Sequence, residues 1–201
     1  DKPRPWYLVW AAAAWSGARI ATSPEAADAA MYFDDSARGL APNTGPAKRF
    51  NYHCTDVTKT HVARMFEDAF GYPLAVDPTT AAGPVVEKGE DNGVHDGRIV
   101  QAPCRALPGK TYQRLIDNSS AASGDDHVDD LRTPCVGGKP VLVFIKRRHK
   151  TDRFANHNSF VSLVTAESVF SADEIDAIGR FCAGMGLDWG GLDILRDRPT
   201  G

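Results

Sequence analysis

The sequence predicts an α+β fold with mainly antiparallel sheet, on three observations. The Gly137-Gly138 pair separates two apolar stretches, residues 131–136 and 140–146, and reads as a β-hairpin. Two segments, near residues 59–70 and 171–186, carry apolar residues at helical spacing with cap signals at their ends. Strand and helix signals are mixed but do not alternate strictly as strand–helix–strand, which disfavours a doubly wound parallel sheet.

The elements follow in chain order. Residues 7–10 read as a strand. Ser23 before Pro24 is a helix start, with a capping hydroxyl and a proline at the first helical position. A short Ala-rich helix is expected there, then a strand at 31–33 and a linker over 36–49. From Thr55 the pattern sharpens. Asp56 or Thr58 can cap a helix whose apolar face is Val62, Met65, Phe66, Ala69 and Phe70, and Gly71 stands where a left-handed cap costs least. Residues 74–76 read as a short strand, 77–83 as turns, and 84–88 as a strand entering a glycine-spaced loop over 89–97. The chain resumes as strand at 98–100 and alternates again at 112–116. Residues 118–126 are small and polar and read as a mobile loop. After the hairpin, 161–164 is one more strand. Ser171 and Glu174 form a capping box for a helix that buries Ile175, Ile178, Phe181, Cys182 and Met185 and ends at Gly186. Residues 192–195 close as a strand with Asp193 inside it.

Composition bounds the function. With 201 residues the chain fits one ordinary domain or two small ones. A net charge of -3 argues against broad nucleic-acid binding, where a basic surplus is expected. No apolar run approaches the roughly 20 residues of a membrane helix. Cys54, Cys104, Cys135 and Cys182 never form a C-x-x-C pair, which fits buried thiols in a reduced, cytoplasmic setting better than disulfides or a zinc site. The chain starts Asp1-Lys2-Pro3 and stops soon after its last strand, so both ends read as cut and a fragment is expected.

Three features could carry chemistry. Lys88 ends an apolar strand beside a loop with Gly89, Gly93 and Gly97, and a lysine next to closely approachable backbone amides suits phosphate binding. An exposed hairpin lysine is the alternative, and Glu87, Glu90, Asp91 and Asp96 would repel a polyphosphate unless a metal intervened. Lys146, Arg147, Arg148, His149 and Lys150 follow a buried strand, whose alternation can turn two cations toward a site and the others toward water. A solvated strand end, or an interaction patch for an acidic partner, would look the same. Asp193, between Leu192 and Ile194, points away from both and is a candidate oxygen ligand for Mg²⁺. It could equally be solvated or paired with Arg196. The six histidines show no metal-ligand spacing, and no G-x-S-x-G is present.

Taken in order, these pieces resemble the ATP-grasp superfamily, the carboxylate–amine ligase fold, in the branch whose members add glutamate to a ribosomal protein's C-terminus. Thr58-Lys59-Thr60-His61 with Phe70-Gly71-Tyr72-Pro73-Leu74 is similar to the family's lysine-bearing helix and the "Gly-x-Pro" after it. Val85-Val86-Glu87-Lys88 resembles the strand whose lysine reaches the nucleotide phosphates, and residues 111–117 resemble the hinge strand that holds adenine through backbone groups. Asp130-Leu131-Arg132 with Val136-Gly137-Gly138-Lys139 and Lys146-Arg147-Arg148 resembles the "D-x-R-x-x-V-x-G" hairpin and its basic strand end. Arg153-Phe154-Ala155-Asn156 is similar to the "F-R-x-N" segment, and residues 186–194 to the strand supplying the first Mg²⁺ carboxylate. The chain departs from the pattern in a loop less rich in Gly and Ser, in Asn158-Ser159-Phe160 where a Gly-Gly is usual, and in stopping before the strand that bears the remaining metal ligands.

The resemblance implies an ATP-grasp-like α+β fold of two small subdomains with an incomplete C-terminal sheet. Residues 1–54 would be a remnant of an N-terminal domain plus linker, 55–110 the small subdomain, and 111–201 a truncated second subdomain. It implies ATP-dependent ligation through an acyl-phosphate, with ATP and Mg²⁺, on a small-molecule or peptide carboxylate. Lys59 and Lys88 would neutralise phosphates, and Gln113, Arg114 and Leu115 would hold adenine. Asp193 would bind Mg²⁺, and Lys146 or Arg148 would meet the acyl-phosphate or the substrate carboxylate. Two of three metal ligands would be missing, so the fragment is expected to bind nucleotide without turning over. The alternative is a non-catalytic nucleotide-binding or structural module that kept the fold. No nucleic-acid or membrane partner is expected, and a homo-oligomer is left open.

Overall fold

The computed structural model describes residues 5, 7–91, 93–120, 122 and 126–198. Part of the expected 118–126 loop lies outside them. Residues 7–10, expected as a strand, instead open helix α1, Leu8–Trp15. Its alanine run has the highest helix propensity, and a stretch apolar on every side offers no alternation to tell strand from helix. The helix expected after Ser23 is a single 3₁₀ turn, Pro24–Ala26, without a side-chain cap. Strand β1, Ala30–Met31, pairs in parallel with β2, Arg49–Phe50, at the end of the expected linker.

Helix α2, Lys59–Phe70, starts at Thr58, whose hydroxyl accepts from the His61 N–H, and ends at Gly71 with φ +80°. Asp56 in turn accepts from the Thr58 N–H at 2.9 Å and its hydroxyl at 2.6 Å, so both candidate cap residues are used in series. Three strands follow: β3, Gly83–Gly89, β4, Arg98–Ala102, and β5, Lys110–Arg114, antiparallel in the order β4-β3-β5. Val85, Ala102 and Tyr112 make the small core on one face of this sheet.

The larger sheet contains β6, His127–Val136, β7, Lys139–Pro140, β8, Leu142–His149, β9, Phe160–Thr165, and β10, Trp189–Ile194. Its antiparallel order is β10-β6-β8-β9, with β7 beside β6. Gly137 and Gly138 take φ of +57° and +76°, which the two-residue hairpin turn demands. Helix α3, Ala172–Met185, has both bonds of the capping box and ends at Gly186 with φ +64°. Ile178 and Cys182 of α3 pack on Leu131, Cys135 and Val143 of the sheet. Burying a side chain such as Ile178 stabilises the fold by roughly 1.5–3 kcal/mol. Helix α2 packs on α3 through Ala69, Phe181 and Met185. The larger sheet is thus covered by helices on one face, and its other face is free to carry polar groups.

Part of the expected 118–126 loop is ordered structure. Asn118, Ser119 and Ser120 are buried, and Ser120 N–H and Asn118 C=O bond to β6 at 2.8 and 2.9 Å. All four cysteines are free thiols, with Cys135 and Cys182 in the core. Among the described residues no helix is long and apolar enough to cross a membrane.

Candidate functional site

A cleft of about 820 Å³ is lined by both sheets and by α2 and α3. On the three-stranded sheet, alternation along β3 turns Val86 and Lys88 to one face and Val85 and Glu87 to the other. Pairing of Val86 with Gln113 puts Gln113 on the face of Lys88, and the Lys88 ammonium donates to Gln113 Oε1 at 3.2 Å. Burial, and then the nearby Lys59 ammonium, hold the Lys88 amine below the usual lysine range. A cation held in this way gains from any anion that enters.

On the larger sheet, Asp130 lies opposite Lys146 and Arg132 opposite Asp193. Leu131, Ile145 and Ile194 face α3, so alternation sends Asp130, Arg132, Lys146 and Asp193 to the other face. Asp193 accepts from Arg132 Nη1 at 2.9 Å and from Lys146 Nζ at 3.2 Å. Its expected alternative partner, Arg196, pairs with Glu174 instead. A Cβ on Gly191 would lie 2.8 Å from the Arg132 guanidinium and displace it from its present position.

Lys59, Lys88, Gln113, Arg114, Lys146, Arg148 and Asp193 all line this cleft, whereas Leu115 is half-buried beside it with Ile116 in the lining. The Arg114 N–H is already bonded to Leu74 C=O at 3.0 Å.

Of the carboxylates expected to repel phosphate, Asp91 and Asp96 line the cleft, while Glu87, Glu90 and Asp96 are each held by a partner. Glu87 is on the opposite face of β3, bound by Arg98 at 2.7 Å and by the Tyr112 hydroxyl at 2.9 Å. Glu90 accepts from the Thr60 N–H at 3.0 Å and from the Thr60 hydroxyl, in the first turn of α2, where a negative charge is favoured. Asp96 accepts from Lys110 Nζ at 2.6 Å and from the Gly89 N–H at 3.0 Å, and the Lys110 bond, then the Gly89 bond, hold its pKa low. Lys59 Nζ donates to the Asp91 carbonyl at 3.4 Å.

Sequence reasoning singled out neither Asp130, Asn118 nor Arg153 as a site residue. Asp130 is bonded by Arg148 Nη2 at 2.9 Å and by Asn118 Nδ2 at 3.0 Å. Burial pushes its carboxyl up, opposed by Arg148 and then Lys146. Arg153 donates to Ile116 C=O and to Asn118 Oδ1, both at 2.9 Å, and burial lowers its pKa. The available signal was alternation in Asp129-Asp130: only one of two adjacent strand carboxylates can face the cleft, and Asp129 is taken by Arg147 at 2.7 Å. Both terminal nitrogens of Arg148 are likewise committed, while its buried Nε has no partner among the described residues. Its Nη1 donates to the Arg153 and Ala155 carbonyls at 3.1 and 3.3 Å, and its Nη2 to Asn158 Oδ1 and Asp130.

As a magnesium site, the donor set is thin. Among the described residues no three His, Cys, Asp or Glu side chains gather as metal ligands, and both Asp193 oxygens already meet cations. These residues do not fit a resident Mg²⁺; such an ion would have to arrive with phosphate oxygens as most of its ligands.

No protein-family model and no curated protein matches the chain. Among solved structures it is similar to the ATP-grasp ligase PsnB complexed with precursor peptide PsnA2 and AMPPNP, at TM-score 0.51 and 16% identity over 77% of this chain and 50% of that one. It is similar also to PsnB complexed with minimal precursor, Mg and ADP, at TM-score 0.50 and 16% identity over 76% of this chain and 50% of that one. The complex with minimal precursor alone gives TM-score 0.50 and 15% identity over 77% and 53%. The chain therefore has an ATP-grasp fold, and it spans about half the length of those chains.

Proposed function

We propose that the cleft of this ATP-grasp fold binds ATP for the activation of a carboxylate as its acyl-phosphate, to be captured by an amine or similar nucleophile. The observation that carries the reading is the convergence of Lys88 and Gln113 from one sheet with Lys146, Arg132 and Asp193 from the other on one cleft. Lys59 and Lys88 neutralise phosphate oxygens. A charge-assisted hydrogen bond of this kind is worth roughly 1.5–3 kcal/mol. Adenine lies against Gln113, Arg114 and Leu115. Leu115 stands beside the lining and would reach adenine only through its backbone. Lys146 meets the carboxylate or its phosphorylated form, and its donors together with those of Arg132 stabilise the charge that develops on the transferred phosphoryl group. Asp193 would be the residue to hold a Mg²⁺ brought in by the nucleotide, which would supply charge compensation. The carboxylate is that of a peptide or small molecule, the peptide being favoured by the precursor bound in the similar PsnB complexes.

The second reading, a nucleotide-binding module without turnover, is favoured by the single, cation-paired carboxylate Asp193. For this chain alone we propose binding without turnover. Phosphate release from Mg-ATP above the protein-free blank would overturn that part. Calorimetric titration with Mg-ATP tests the binding site: Lys88→Met should weaken affinity about ten- to a hundredfold, the equivalent of losing one charged hydrogen bond. Equal affinities would exclude Lys88 from the phosphate site.

A further inference from the structure

We infer that Phe154 is a positioning residue: it braces the return arm of the glycine-spaced loop, residues 93–97, against the larger sheet, with Arg148 as its footing. The proposal rests on the nucleotide reading only for what that arm contacts. Three observations carry it.

The first is Gly97. Its backbone is in a region that any residue adopts, so no conformational requirement calls for glycine. What calls for it is the Phe154 ring. A Cβ on Gly97 would lie 2.8 Å from ring atom Cδ1, 3.1 Å from Cε1 and 3.4 Å from Cγ. The ring thus fills the space a side chain on Gly97 would need, between a loop of the small sheet and the segment that follows β8 of the larger one.

The second is the way Phe154 is held. Its two chain neighbours, Arg153 and Ala155, turn their carbonyls to the same Arg148 nitrogen, at 3.1 and 3.3 Å. Arg148 is 6% exposed and is tied in turn to Asp130 and Asn158. The Arg153 side chain adds bonds to Ile116 and Asn118, and its guanidinium lies 5.7 Å from the centroid of the Phe154 ring. The backbone on both sides of the ring is therefore tied to one buried guanidinium, and a second guanidinium lies over the ring.

The third is location. Gly97, Phe154, Arg148, Lys88 and Lys146 line the same cleft. A brace there sets how closely the loop amides approach a polyphosphate. This gives Arg148 a task that its remaining bonds permit: it supports the loop instead of meeting substrate.

The test is hydrogen exchange and nucleotide binding on the whole chain, with Phe154→Ala, Phe154→Leu and Gly97→Ala. Phe154→Ala and Gly97→Ala should each raise exchange of the amides of residues 93–98 about tenfold, the equivalent of 1.4 kcal/mol of local opening. Amides of α3 should stay protected, and Phe154→Leu should recover most of the effect. Affinity for Mg-AMPPNP should fall several-fold while affinity for AMP stays within about twofold, a split that general damage to the fold would not give. Unchanged exchange at 93–98 in both variants would overturn the proposal. So would uniform loss of protection in Phe154→Ala with Gly97→Ala silent, which would make Phe154 an ordinary packing residue. If the unmodified chain binds no nucleotide, the functional reading fails and the exchange measurements still decide the brace.

Discussion

Replacing Arg148 by Met removes the cation of a buried pair and keeps the length of its stem. The Arg148 and Asp130 side chains are 8% and 15% exposed, so the pair belongs to the buried regime rather than the surface one. Surface pairs contribute about 0–1 kcal/mol, whereas stranding one partner of a buried pair costs about 3–5 kcal/mol. In a domain of this size that lowers Tm by roughly 6–20 °C. The deficit should also depend on pH. Burial already raises the Asp130 pKa, and Arg148 is the strongest influence pulling it back, so the variant raises it further. A carboxyl with a raised folded-state pKa contributes stability below its unfolded pKa and loses it as pH rises through the folded value. The deficit of Arg148→Met is therefore smaller at about pH 5, where Asp130 can take up a proton, than at about pH 8. Urea unfolding at the two pH values measures it, and adding Asp130→Asn should return a large part of the loss at the higher pH. A Tm change below about 3 °C, or a deficit that does not vary with pH, would refute the buried-pair reasoning.

Two further outcomes follow from the same geometry. Lys88 has a folded-state pKa lowered first by burial, so it contributes stability only above its unfolded pKa and loses it as pH falls through the folded value; near neutral pH its charge is a cost. Lys88→Met should therefore leave Tm unchanged or raised while weakening nucleotide binding, and a clear fall in Tm would contradict the assignment. Thr58→Ala removes the α2 cap and should cost about 1 kcal/mol, or roughly 2–4 °C in Tm, with the His61 amide among the first to exchange faster.

The elements with strong local grammar were legible in the sequence. Ser171 and Glu174 announce α3, Gly71 and Gly186 mark where helices stop, and Gly137-Gly138 marks the hairpin, because each meets a local backbone need without help from the rest of the fold. Lys146 and Asp193 were legible because strand alternation turns each to the face opposite its apolar neighbours, Ile145 for the one and Leu192 and Ile194 for the other. Residues 7–10 were not, since a stretch apolar all round has no period to read. The fate of Glu87, Glu90 and Asp96 was equally hidden. Whether a carboxylate repels a ligand depends on partners far along the chain, here Arg98, Thr60 and Lys110, that only the folded register brings near. Arg148 shows the same limit from the other side: as one of five consecutive basic residues it looked available, and the fold uses its two terminal nitrogens on Asp130 and three neighbouring acceptors.

The central claim is that one nucleotide spans both sheets. Hydrogen exchange of the chain with and without Mg-ATP tests it most directly. The account predicts added protection in the same experiment at residues 86–89 and 113–116 of the smaller unit and at residues 145–147 and 191–193 of the larger one. Protection confined to one sheet, or found only outside the cleft, would contradict it.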